Sequence, residues 1–126
     1  MASQHILLAE SRPNLQHSLE LMLKQADYLV SITKTTEEAL TLAKALRNTP
    51  EAVGLLIADL DSISPEACRA FMQTLSASGL AIPYLILAEE IHDHAVNALK
   101  KHGCLACITK PFEPKTLLQS VDNAFT

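Results

Sequence analysis

The chain has 126 residues, 48% apolar and 19% charged, with a net charge of −4, which is enough for one domain around one core and typical of a folded globular protein rather than a disordered tail. Its mild acidity and the lack of any Lys/Arg cluster leave no electrostatic footprint for nucleic acid. No apolar run approaches the ~20 residues that a membrane helix needs.

The chain starts Met1-Ala2-Ser3-Gln4-His5, with no basic n-region and no cleavage site, so it does not read as a signal peptide. The first apolar run is His5-Ile6-Leu7-Leu8-Ala9. After Pro13, which suits a first helical turn, Leu15, Leu19, Met22 and Leu23 recur at threes and fours. Tyr28 to Thr33 is a mixed run, expected nearer a sheet edge. Thr35-Thr36-Glu37-Glu38 is a capping signal ahead of Leu40, Leu42, Ala43 and Leu46. A third run spans Val53 to Ala58, and Ser64-Pro65-Glu66 opens a helix carrying Phe71, Met72 and Leu75 toward Gly79. Tyr84 to Ala88 is the fourth run, followed by a helix marked by Ile91, Ala95, Ala98 and Leu99 and stopped by Gly103. Ala106 to Thr109 is the fifth, and Pro114 opens a last helix with Leu117, Leu118, Val121 and Phe125.

Four of the runs are almost continuously apolar, as in strands covered on both faces. Five βα units in sequence predict a short doubly wound parallel sheet in a three-layer α/β sandwich. Ligands of such sheets bind at the carboxyl ends of the strands, near a topological switch point. The residues there are Glu10-Ser11, Asp59 with Asp61, Ala88-Glu89 and Lys110-Pro111. Carboxylates and a lysine converging at one rim suit a divalent cation and a phosphoryl group: hard oxygens for Mg²⁺, a point charge for phosphoryl oxygens.

The segments Ile6-Leu7-Leu8-Ala9-Glu10, Leu56-Ile57-Ala58-Asp59-Leu60 and Ile108-Thr109-Lys110-Pro111-Phe112 resemble the motif segments of receiver domains in two-component response regulators, in order and over essentially the whole chain. The resemblance implies a flavodoxin-like sheet of order 2-1-3-4-5. It makes Asp59 the phosphoacceptor, Lys110 the phosphoryl-binding lysine, and Glu10, Asp59 and the Asp61 carbonyl the ligands of a weakly held Mg²⁺. It also implies a cis bond before Pro111. The implied partner is a histidine kinase or phosphotransfer protein, and the implied chemistry is limited to the domain's own phosphorylation and dephosphorylation. A homodimer through the fourth and fifth βα units is a further implication, as is a regulatory role for residues 1–126 within a larger protein.

Departures from the family pattern concern switching. Ser11 stands where a second carboxylate usually contacts the metal, and Glu89 where a small residue often flanks the site. Ala88 replaces the usual Ser/Thr, removing a hydrogen bond to a charged group, on the order of 1.5–3 kcal/mol of coupling between phosphorylation and conformation. Cys107 replaces the usual switch aromatic. The expectation is an acceptor with weakened or atypical switching.

Other readings stay open at this level. Asp59 could cap a helix, Lys110 could be a solvated turn residue, Glu10 is equally a solvated strand-end acid, the Asp61 side chain could face water, and Ser11 and Thr109 could simply bond local backbone. A second class is a pseudo-receiver that is never phosphorylated and acts as an interaction module. A third, a flavodoxin-like cofactor binder or hydrolase, lacks a Gly- or Ser/Thr-rich phosphate loop: Gly54, Gly79 and Gly103 stand alone. His102-x-Cys104-x-x-Cys107 offers three candidate zinc ligands, with His92 or His94 as a fourth, but Cys107 falls inside a strand and reads as a small hydrophobe. As a redox pair, Cys104 and Cys107 lead into a strand instead of opening a helix. Three cysteines cannot all pair, which with the lack of an export signal fits a reducing cytoplasm.

Overall fold

A strand covered on both faces must be apolar at successive positions, and the first, third and fourth runs are. In the computed structural model, which describes residues 4–126, they form the middle of one sheet. The first half of the chain runs β1 (His5–Ala9), α1 (Pro13–Gln25), β2 (Leu29–Thr33), α2 (Thr36–Leu46), β3 (Leu55–Asp59), β4 (Ser62–Ile63) and α3 (Pro65–Ser78). The second half runs β5 (Tyr84–Ala88), β6 (Glu90–Ile91), α4 (Asp93–Lys101), β7 (Cys104–Thr109) and α5 (Pro114–Ala124).

The five long strands are parallel in the order β2-β1-β3-β5-β7, which is 2-1-3-4-5 when only long strands are counted. The mixed run from Tyr28 to Thr33 lies at one edge, as its composition predicts, with Leu29 41% exposed. Alternate residues of the central strands feed two cores. Leu7, Leu56, Ala58, Tyr84 and Ile86 pack beneath α2, α3 and α4. Ile6, Leu8, Leu55, Ile57, Leu85 and Leu87 pack beneath α1 and α5. Each fully buried Leu or Ile is worth about 1.5–3 kcal/mol of removal from water.

The helix starts follow their capping chemistry. Thr35 accepts from the Glu38 amide at 3.1 Å, while Glu38 reaches back to the Lys34 amide at 3.3 Å. Ser64 accepts from the Ala67 amide at 3.1 Å, and α3 ends on Gly79 at φ +69°, a left-handed position that suits glycine. Arg12 precedes Pro13 with extended backbone and no side-chain cap, so its side chain is free to go elsewhere.

Two details differ from expectation. Ile91 does not begin the fourth helix; it pairs with Ile63 in a two-stranded ribbon, because the loops after β3 and β5 run side by side. And β7 starts at Cys104, two residues early, with a bulge: Tyr84 faces Cys104 and Leu85 faces Ala106, leaving Leu105 unpaired and 48% exposed.

Candidate functional site

Three chain segments bring charge to the carboxyl ends of the strands. Asp59 is the last residue of β3, opposite Leu87, and the Leu60 amide continues the ladder to the Leu87 carbonyl at 2.8 Å. Glu10 follows β1, its amide bonded to the Thr33 carbonyl at 2.9 Å. Lys110 follows β7, its amide bonded to the Ala88 carbonyl at 2.9 Å, and the Lys110–Pro111 bond is cis. Ala88 ends β5 between Asp59 and Lys110 in the sheet, fully buried, so nothing larger than a methyl group lies there.

The side chains converge. Lys110 Nζ donates to Asp59 Oδ1 at 2.5 Å. The Asp59 and Glu10 side chains are 3% and 2% exposed, and that of Lys110 is 11% exposed. Glu10 is therefore not a solvated strand-end acid, nor Lys110 a solvated turn residue. Arg12, half-exposed, joins the same cluster. Its backbone amide donates to Glu10 Oε1 at 2.8 Å and its Nε to the same oxygen at 3.3 Å. Its Nη2 lies 3.4 Å from Asp59 Oδ1 and its Nη1 3.7 Å from Glu89 Oε1. A Gln16 amide also donates to the Glu10 carbonyl, fixing the turn into α1.

Two buried carboxyls this close cannot both ionise freely. Burial, then the bond to Glu10, pushes Asp59 up to about 7, against the opposing pull of Lys110. Burial also pushes Glu10 up, but the proton of Asp59 and the Arg12 amide and guanidinium outweigh it and hold Glu10 below its ordinary value. At neutral pH Glu10 is the anion of the pair and Asp59 is poised between its two forms.

Glu10 Oε2 and Asp59 Oδ2 are buried and have no hydrogen-bond donor among the described residues. With the proton that the two carboxyls share displaced, these two hard oxygens on neighbouring side chains fit a divalent cation. Further ligands are sparse. The Asp61 carbonyl already accepts from the Glu89 amide at 3.2 Å, and the Asp61 side chain and Ser11 are exposed. Among the described residues no three His, Cys, Asp or Glu side chains are gathered as a metal cluster.

Away from this rim, Cys107 is partly buried in β7 and its Sγ lies 3.7 Å from Cys104 Sγ. The Leu105 bulge brings these two to the same face, which strict strand alternation would not. Their hydrogen bond, then burial, pushes the Cys104 thiol up, while the same bond holds Cys107 below its ordinary value. All three cysteines are free thiols.

The structure thus brings together Glu10, Asp59 and Lys110 and leaves Ser11 and the Asp61 side chain outside. Arg12 is the residue that the sequence reading missed. A rim of four acids with one lysine is under-neutralised, and that imbalance was the available signal for a second cation.

No family model and no curated protein sequence matches this chain. Solved structures do. The chain is similar to chemotaxis protein CheY4 of Vibrio cholerae at 23% identity, covering 98% of this chain and 99% of that one with a TM-score of 0.74. It is similar to HP1043, an orphan response regulator of H. pylori, at 18% identity, 99% and 98% coverage and a TM-score of 0.77. The non-phosphorylated receiver domain of HemR from Leptospira biflexa matches at 23% identity, 98% and 95% coverage and a TM-score of 0.74. The chain has the fold of a CheY-like response regulator receiver domain.

Proposed function

We propose that the chain is a phosphorelay receiver that accepts a phosphoryl group on Asp59 from a histidine kinase or phosphotransfer protein. The observation that carries this reading is the buried Asp59 carboxyl at the end of β3 with Lys110 Nζ 2.5 Å from Oδ1. In the transfer an oxygen of ionised Asp59 forms a bond to phosphorus as the bond to the donor's imidazole nitrogen breaks. The imidazole leaves with the electron pair. Lys110 neutralises charge on the acceptor and then on the phosphoryl oxygens. Mg²⁺, when bound, would rest on Glu10, Asp59 and the Asp61 carbonyl and offset charge between acceptor and donor.

Switching is weak in this reading. A two-state element moves only by the differential free energy its ligand supplies, and Ala88 offers no hydroxyl to a phosphoryl group while Cys107 offers no aromatic ring. The domain catalyses nothing beyond its own phosphorylation and dephosphorylation, works in the cytoplasm and regulates a larger protein. No described helix is long and apolar enough to cross a membrane. A homodimer would form across the fourth and fifth βα units, where Leu105 is 48% exposed on β7, the strand between α4 and α5. Incubation with Mg²⁺ and a small phosphodonor, followed by intact mass, tests the acceptor. The expected result is an adduct of one phosphoryl group that is absent in Asp59→Ala.

One observation favours a second reading, an interaction module that is never phosphorylated. The Asp59 side chain is 3% exposed, so the acceptor is covered in this state. Phosphodonor and cognate kinase both failing to label the protein would favour that reading.

A further inference from the structure

We infer that Arg12 is the pocket's built-in cation, a guanidinium that takes over the charge-balancing role at Glu10 and Asp59 and competes with a divalent metal ion for it. The inference rests on reading the pocket as the acceptor site. It comes from the way the guanidinium is used. Each of its three nitrogens faces a different carboxylate: Nε lies 3.3 Å from Glu10, Nη2 3.4 Å from Asp59 and Nη1 3.7 Å from Glu89. The Arg12 amide also donates to Glu10 Oε1 at 2.8 Å, so the backbone is tied to the same oxygen as the side chain. Pro13 at the first helical position fixes where that tether begins.

The composition of the rim suits a guanidinium better than a metal. Ser11 offers no carboxylate and is exposed, which leaves a metal one hard anionic ligand short. Glu89, whose side chain is 61% exposed, is within reach of a planar fork with donors on three sides. The oxygens left to a metal, Glu10 Oε2 and Asp59 Oδ2, sit on the same carboxyls whose other oxygens Arg12 holds. A dication entering there meets a fixed positive charge one carboxylate away, in a pocket where burial weakens screening.

The test is Mg²⁺ binding, measured as the Mg²⁺-dependent rise of the Tm over a chelator baseline, with no phosphodonor present. Wild type is expected to respond weakly. Arg12→Ala is expected to have a lower Tm in chelator and to recover it saturably with Mg²⁺, with an apparent affinity at least about tenfold tighter than wild type. Arg12→Gln, which keeps length and a donor but no charge, should behave the same way and serves if the alanine variant folds poorly. Arg12→Ala combined with Asp59→Asn should lose the response, locating the ion in the pocket. Arg47→Ala, which removes the same charge from an exposed site, should match wild type. Wild type binding Mg²⁺ within about twofold of both Arg12 variants, neither variant binding it, or Arg47→Ala tightening it equally overturns the inference. Failure here leaves the acceptor chemistry standing, and an unlabelled Asp59 leaves this result standing.

Discussion

The carboxyl rim and the α4–β7–α5 side of this molecule are built in opposite ways. At the rim, charge is concentrated and cross-linked: Asp59, Glu10 and Glu89 are bridged by Arg12, and Lys110 closes on Asp59 from the far side of Ala88. On the other side, Cys107 carries a thiol that bonds to Cys104, and between the two regions Ala88 carries only a buried methyl. Chemistry at one end and apolar packing at the other are joined by β5 and β7, and Ala88, at the rim end of β5, has no hydroxyl to offer a phosphoryl group. In the function proposed above, Asp59 accepts the phosphoryl group while Ala88 and Cys107 convert little of its occupancy into motion.

The sharpest way to break this contrast is Lys110→Ala. It removes the cation on Asp59 and should slow phosphoryl transfer about hundredfold, as loss of one preorganised charge-stabilising donor does. Initial rates of adduct formation by intact mass check this. A variant transferring at the wild-type rate would place the rim's chemistry elsewhere.

Next in size is the missing reporter. Amide hydrogen exchange across α4 and β7, with and without a phosphodonor, should show little change in wild type. Ala88→Ser should enlarge the difference, because a hydroxyl bonded to a charged group is worth about 1.5–3 kcal/mol. Wild type already responding as strongly as the serine variant would contradict the separation of acceptor from switch.

The rim also predicts a pH signature in metal-free buffer. Asp59 has its folded pKa raised to about 7, so the folded state holds a proton that the unfolded chain has lost above the ordinary carboxyl value of 3.8. Its contribution to stability is fully present below 3.8 and is lost as pH rises toward about 7. Glu10, held below its ordinary value, acts in the opposite sense at the acid end. Asp59→Asn should therefore gain stability relative to wild type as pH rises through that window, with the difference levelling above it. Parallel pH profiles for the two proteins in denaturant melts would show that Asp59 is not the proton holder.

The smallest effect lies on the apolar side. Tyr84 is fully buried, packs its ring at a tilt with its centre 4.9 Å from that of Phe71, and donates its hydroxyl to the Leu99 carbonyl at 3.1 Å. Tyr84→Phe should cost about 1 kcal/mol in a denaturant melt and leave phosphoryl transfer unchanged.

Much of this was legible in the residue order. Runs such as Leu55-Leu56-Ile57-Ala58, bounded by Asp59, state both a doubly covered strand and its carboxyl end. The Thr35 and Ser64 caps mark helix starts to within a residue. Less was visible where geometry departs from simple periods. The Leu105 bulge puts Cys104 and Cys107 together although three residues apart on a strand, and pairing of the β3 and β5 loops takes Ile91 out of its helix. Arg12 was hidden for a different reason. A lone basic residue before a proline has many uses, and only folding shows three carboxylates around it. Whether Glu10 is solvated or buried is likewise a tertiary matter, settled by the side chains packed over it.

The most direct measurement is intact mass after incubation with a small phosphodonor and Mg²⁺, run on wild type beside Asp59→Ala. A single phosphoryl adduct on wild type, absent from the variant, is the predicted result. An adduct that persists in Asp59→Ala, or a wild type that neither the small donor nor its cognate kinase labels, would contradict Asp59 as the phosphoryl acceptor.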